Sequence, residues 1–198
     1  MIEGQEYLIK MWYNNNMGRK NRSGFSVGEK VVYPGYGVGE IVRTEIKVFS
    51  GKKELYFIVS FNDSENVSTV MIPESSFPEI RIRHPSSLRI VKKALDFIKN
   101  GVPADFPTWK DRFTAHSAMV QQGDLILIAK VLKSLHIQNG KKPLSFREKK
   151  LYQKCFSLIA SEIALIKNQQ RTKVEETLKT LLGKEDGSLP KKRSRKDS

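Results

Sequence analysis

The sequence predicts an α+β protein in which an N-terminal antiparallel β-barrel of the SH3 or Tudor type precedes a compact all-helical domain. Three observations predict it. Between residues 25 and 83, β-branched and aromatic residues fall in short runs separated by turn chemistry. After His84-Pro85 the apolar spacing changes to the helical period and keeps it to about residue 182. Charge divides at the same boundary: residues 25–83 hold seven Lys/Arg against eight Asp/Glu, whereas residues 84–183 hold eighteen against eight.

Taken in order, residues 1–24 carry the asparagine run Asn14-Asn15-Asn16 and a basic stretch, with no sustained period, and are expected to be a disordered leader. Met17, just ahead of the basic stretch, offers an alternative start. Strands are expected at 29–33, 38–48, 54–61, 67–72 and 80–83, punctuated by Pro34-Gly35, Ser50-Gly51 and Asn62-Asp63-Ser64. Connections this short, with no helix between strands, exclude a parallel crossover and imply a small antiparallel barrel.

Each expected helix is announced by a cap. Ser86-Ser87 opens one at 88–99, closed by Asn100-Gly101. Thr108 opens the next, with Asp111 three residues on as a capping box, and Gly123 closes it. Asp124 caps a helix at 125–137, apolar on most faces and hence the buried centre of the bundle. Ser145 and Glu148 form a second capping box for a helix to about residue 167, and a last helix spans about 172–182 before Gly183. Residues 184–198, with Lys191-Lys192-Arg193, form a basic tail with too little apolar surface to fold alone. The organisation is therefore leader 1–24, β-domain 25–83, basic helical domain 84–183 and disordered tail 184–198.

The formal charge of +14 over 198 residues favours a polyanionic partner, and the helical domain carries most of it. The near-neutral β-domain must bind by other means. The single cysteine, Cys155, excludes an intramolecular disulfide, and with no secretory h-region the protein is expected to stay in the cytoplasm. The longest apolar run, residues 125–129, is far too short to span a bilayer.

Little in the sequence suggests catalysis. The cluster Gly35-Tyr36-Gly37-Val38-Gly39 runs on into strand rather than into a helix N-terminus, so it reads as a tight turn and bulge and not as a phosphate loop. His84, His116 and His136 lie on three elements without ligands at metal spacing, and Cys155 falls on the apolar stripe of its helix with Leu151, Leu158, Ile159 and Ile163. No enzyme, metal site or cofactor is expected.

The informative segment is Pro103-Ala104-Asp105-Phe106-Pro107-Thr108-Trp109-Lys110-Asp111-Arg112-Phe113. Two prolines hold the chain extended, Thr108 caps, and Trp109 becomes the first helical residue, flanked by Lys110 and Arg112. Two readings stand here. An aromatic beside cations at a helix start suits DNA, with phosphates held by the cations and the ring wedged against a base step. Equally, Trp109 can pack into the bundle as an amphipathic anchor with Phe113 one turn on.

Over residues 25–182 the sequence resembles the CarD/CdnL family of bacterial transcription factors. The stretch from Phe25-Ser26-Val27-Gly28-Glu29 through Tyr33-Pro34-Gly35-Tyr36-Gly37 to Ile41 is similar to the family's opening signature. Trp109-Lys110-Asp111-Arg112-Phe113 and Leu144-Ser145-Phe146-Arg147-Glu148-Lys149 match its helical domain. The resemblance implies a Tudor-like domain at 25–83 that docks on the RNA polymerase β subunit through the edge of its fourth strand, here Ser68-Thr69-Val70-Met71-Ile72-Pro73. Lys47 matches a basic polymerase-contacting position, and Met71 stands where some members carry arginine.

In the helical domain the resemblance makes Trp109 a minor-groove wedge at the upstream edge of the promoter bubble, beside the basic position Arg112. Asp111 and Thr114 stand at positions that are basic in some members, which implies a phosphate grip either shifted onto Lys110 or weakened. The expectation is a monomeric, nucleoid-associated protein that binds polymerase and promoter DNA with little sequence specificity and stabilises the open complex. The alternative is an RNA-binding or ribosome-associated protein that uses the β-barrel.

Overall fold

The computed structural model describes residues 24–49, 51–62 and 67–183. The expected leader, except for Gly24, and the basic tail lie outside the described residues. Four strands form one antiparallel sheet in chain order: β1 (Lys30–Tyr33), β2 (Gly37–Phe49), β3 (Lys52–Asn62) and β4 (Val67–Pro73). Its inner face buries Ile41 of β2, Phe57, Val59 and Phe61 of β3, and Ile72 of β4 against Phe25, Phe77 and Ile82. The turn at Pro34-Gly35 forms as expected, with Tyr36 N–H donating to the Tyr33 carbonyl and Gly35 at φ 83°. The bulge lies further on, between Ile41 and Arg43, and not within the glycines.

The strand expected at 80–83 does not form. A single 3₁₀ turn (Glu74–Ser76) leads into a one-turn helix, α1 (Phe77–Ile80), ended by Arg81 in the left-handed region at φ 61°. The helix takes Ile80, and Arg81 in the left-handed region breaks the extended backbone that a strand needs, while Pro78 suits the first turn of α1, where its missing N–H costs nothing. All that remains of a fifth strand is one bridge from Arg83 to Val32, so the barrel is half-closed, and β4 pairs with β3 alone among the described residues.

The helical part comprises α2 (Leu88–Asn100), α3 (Trp109–Gln121), α4 (Leu125–Lys141), α5 (Phe146–Lys167) and α6 (Arg171–Gly183). The caps act as expected at Ser87, Asp124 and Ser145, where Ser145 and Glu148 satisfy each other's backbone N–H. At α3 the Thr108 hydroxyl accepts from Asp111 N–H, but the Asp111 carboxylate takes the Thr108 hydroxyl at 2.7 Å, not the backbone N–H of a full capping box. Helix α4 runs one turn beyond its expected end. It packs against α2, α3 and α5, and its buried residues Leu125, Ile128, Ala129, Val131, Leu132 and Leu135 centre the core.

The sheet and the helices keep separate apolar cores, joined by a polar contact. The Arg83 guanidinium donates twice to the Gly123 carbonyl (2.9 and 2.7 Å) and twice to the Glu162 carboxylate (2.7 and 2.9 Å). Glu162, with its side chain 3% exposed, also accepts from Ser86 N–H at 2.9 Å. Around this pair two glycines pack closely against side chains of the other part. A Cβ on Gly123 would stand 2.8 Å from Pro34 Cγ, and one on Gly37 would stand 3.2 Å from Leu158 Cδ2.

Cys155 and His116 are among the titratable groups buried in the helical part. Cys155 is fully buried, and burial pushes its thiol up to about 12, which leaves it an unreactive packing residue. His116 on α3 lies edge-on to Phe106 with its Nδ1 unpartnered among the described residues. Burial, then the Arg112 charge, lower it to about 4 against a smaller opposing pull from Glu148, so it is neutral near pH 7.

Three outcomes follow from this packing. Arg83→Met should lower unfolding free energy in urea by about 3–5 kcal/mol, because Glu162 is left as a buried unpaired carboxylate, and Arg83→Met with Glu162→Met should recover part of the loss. Since the unfolded chain protonates His116 near 6.5 and the folded one only near 4, stability should fall as pH drops through that window, by on the order of 2–3 kcal/mol. His116→Phe should flatten that part of the pH–stability curve. Cys155 should resist iodoacetamide until the protein is unfolded, with alkylation followed by mass.

Candidate functional site

Two surfaces collect the residues that the sequence singled out. The first is the start of α3. Trp109 is its first residue, 60% exposed and in neither apolar core, so the anchor reading of this side chain does not hold. Thr108, extended at φ −127° and ψ 158°, turns the chain into the helix and aims the first side chain away from the bundle. Lys110 is exposed next to it, while Phe113 is half-buried.

Arg112 faces inward. Its Nε and Nη2 both donate to Glu148 Oε1, at 3.1 and 2.7 Å, in a pair whose side chains are 14% and 5% exposed. The other oxygen of Glu148 takes the Ser145 N–H and hydroxyl in the capping box of α5. Burial alone would raise the Glu148 carboxyl; the hydrogen bonds from Arg112 and Ser145 outweigh it and hold the group below its usual value. One carboxylate therefore closes the cap of α5 and fixes α3 to it. Arg112 is a brace behind Trp109, not a free surface cation. That pairing joins residues 36 apart and left no local mark in the sequence.

A second exposed aromatic was missed. Phe146, the first residue of α5, is 71% exposed, and the Lys150 ammonium sits 4.6 Å from its ring centre. The signal was present: Phe146 follows the Ser145 cap as Trp109 follows the Thr108 cap.

The second surface is the outer face of the sheet. Paired residues on adjacent strands share a face, and the register sets Arg43, Ile58 and Met71 in one row and Glu45, Tyr56 and Pro73 in the next. Lys47, two residues beyond Glu45, belongs to the same face, so Lys47, Met71 and Pro73 share that face with β3 between them. They do so because of the bulge. Ile41 points inward, and without the register shift Arg43, Glu45 and Lys47 would follow it into the core. The face is mixed, with Met71 46% exposed, Ile58 buried, and Glu45 bonded to Arg43 and paired with Lys47 at 3.7 Å. Arg43, Tyr56 and Ile58 belong to it and were not singled out from the sequence.

No helix among the described residues is long and apolar enough to cross a membrane, and no cluster of His, Cys, Asp and Glu among them could hold a metal ion.

Residues 25–84 match the family described as the CarD-like/TRCF RID domain, and residues 93–179 match the CarD C-terminal domain. A Bacillus subtilis (strain 168) protein named "Putative transcription factor YdeB" is 28% identical over 143 residues, covering 72% of this chain and 92% of that protein. The two domain matches fall in order on the half-barrel and the helical bundle, with the Arg83 joint near their boundary. The chain belongs to the CarD/CdnL-type family, and its role lies in transcription.

Proposed function

We propose that the protein binds RNA polymerase through its half-barrel and promoter DNA through its helical domain, and that it stabilises the open complex. The observation that carries the proposal is Trp109, a large aromatic held in solvent at a helix start braced from behind by a buried ion pair. Folding gains little from a tryptophan so placed, whereas an unstacked base step at the bubble's upstream edge offers it a partner. Lys110 and the excess positive charge of the helical domain supply phosphate attraction. Arg112 contributes by keeping the helix start rigid.

The polymerase side rests on the resemblance of residues 25–84 to the CarD-like/TRCF RID domain. The edge of β4 away from β3, unpaired among the described residues, can add a strand from the β subunit through main-chain hydrogen bonds, which suits a domain with little net charge. Lys47, Met71 and Pro73 would border that contact on the outer face. The protein acts as a monomer with low sequence preference, because the minor groove distinguishes bases poorly, and it carries out no catalysis of its own.

A base–aromatic contact worth about 1–3 kcal/mol changes bubble lifetime roughly fivefold to more than a hundredfold if expressed in the closing rate. Trp109→Ala should therefore shorten open-complex lifetime on a promoter fragment while leaving melting temperature and polymerase retention unchanged. Loss of folding in that variant would refute the wedge. Met71→Asp should weaken retention of polymerase in pull-downs from nuclease-treated lysate without altering duplex affinity. Loss of all polymerase after nuclease treatment of the wild type would favour an RNA-binding role instead.

A further inference from the structure

We infer that Phe146 and Lys150 form a second DNA contact, one that grips the double-stranded side of the site while Trp109 meets the bubble edge. The inference rests on the DNA reading above and adds to it a residue pair and the part of the DNA it meets.

Phe146 is more exposed than Trp109 and lies in neither core, so the fold does not use it for burial. Its ring is nonetheless ordered by chemistry. The Lys150 ammonium, one turn along α5, covers the ring at 4.6 Å from its centre, which pairs an apolar plate with a cation. A plate with an adjacent cation matches the sugar–phosphate backbone of a duplex, with deoxyribose against the ring and phosphate on the ammonium.

Charge around the pair favours the same partner. From residue 141 to residue 154 the chain holds six Lys/Arg and a single acid, Glu148. All six are exposed, whereas Glu148 is buried and neutralised by Arg112. Over this segment the exposed charge is therefore all basic, unlike the outer sheet face, where Glu45 offsets Arg43 and Lys47. Such a surface attracts a polyanion and repels most basic protein partners.

Position links the pair to Trp109. Trp109 and Phe146 are the first residues of α3 and α5, and the Arg112–Glu148 bond ties those helices within a turn of both starts. One turn is about 5.4 Å of rise, so the two aromatics flank a common brace. They present two contacts on one rigid support, and a single duplex running along it can meet both.

The test compares Phe146→Ala, Phe146→Tyr, Lys150→Ala and Trp109→Ala in the full-length protein. It measures affinity for a fully paired DNA duplex, open-complex lifetime with polymerase, and polymerase retention after nuclease treatment. Phe146→Ala should weaken duplex affinity by about two- to tenfold, and Phe146→Tyr, which keeps the ring, should not. Lys150→Ala should lower the slope of log affinity against log salt by about one. Losses in Phe146→Ala with Lys150→Ala should add incompletely, since the two act as a unit.

If Trp109→Ala shortens open-complex lifetime while Phe146→Ala changes neither affinity nor lifetime, the second contact is wrong and the wedge stands. If neither variant changes DNA binding or lifetime, the DNA reading falls and the second contact with it. Reduced polymerase retention at unchanged duplex affinity in Phe146→Ala would make this face a protein contact and overturn the inference.

Discussion

The Arg83 guanidinium holds the molecule together as one body. The half-barrel and the helical bundle each bury their own apolar cluster, and they meet at the Arg83 joint and at close packing of Pro34 and Gly37 on Gly123 and Leu158. Arginine suits the joint because a planar fork of five donors can serve a carbonyl and a carboxylate at once. Here those donors reach Gly123, Glu162, Ser86 and the His84 carbonyl. Glycines at 37 and 123 leave room beside the joint for the Leu158 side chain and the Pro34 ring. Under the proposed function, this joint sets the geometry between a polymerase-bound sheet edge and a DNA-bound helix start.

Within the helical domain the two kinds of basic residue take different tasks. Arg112 is spent on Glu148, and Arg171 reaches Glu175 and Ser157 along α5 and α6. These arginines organise the interior edges of the bundle. The outward charge between residues 141 and 154 is carried mostly by lysines, whose ammonium groups are strongly hydrated and stand away from the surface on flexible stems. The net charge of the domain is therefore a poor guide to individual contacts. Arg112 counts toward the excess, yet it faces a carboxylate and not the solvent.

The sequence by itself determined the α+β class, the change of period near residue 84, the caps at Ser87, Thr108, Asp124 and Ser145, and the buried role of Cys155. Those features are local: a cap is a hydrogen bond across three residues, and an apolar stripe repeats within one helix. The phase change in β2 was also written in the chain, as Ile41 and Val42 side by side, but only the pairing to β3 showed it to be the bulge that turns Lys47 outward.

Tertiary structure decided what depends on residues far apart in the chain. It set Trp109 in solvent instead of in the core, turned Arg112 inward to Glu148, put Met71, Pro73 and Lys47 on one face of the sheet, and placed Arg83 between Gly123 and Glu162. Periodicity shows that a side chain lies on one face of its own helix or strand. Whether that face is covered, and which charge meets which, depends on the neighbouring element, and only packing brings that element near.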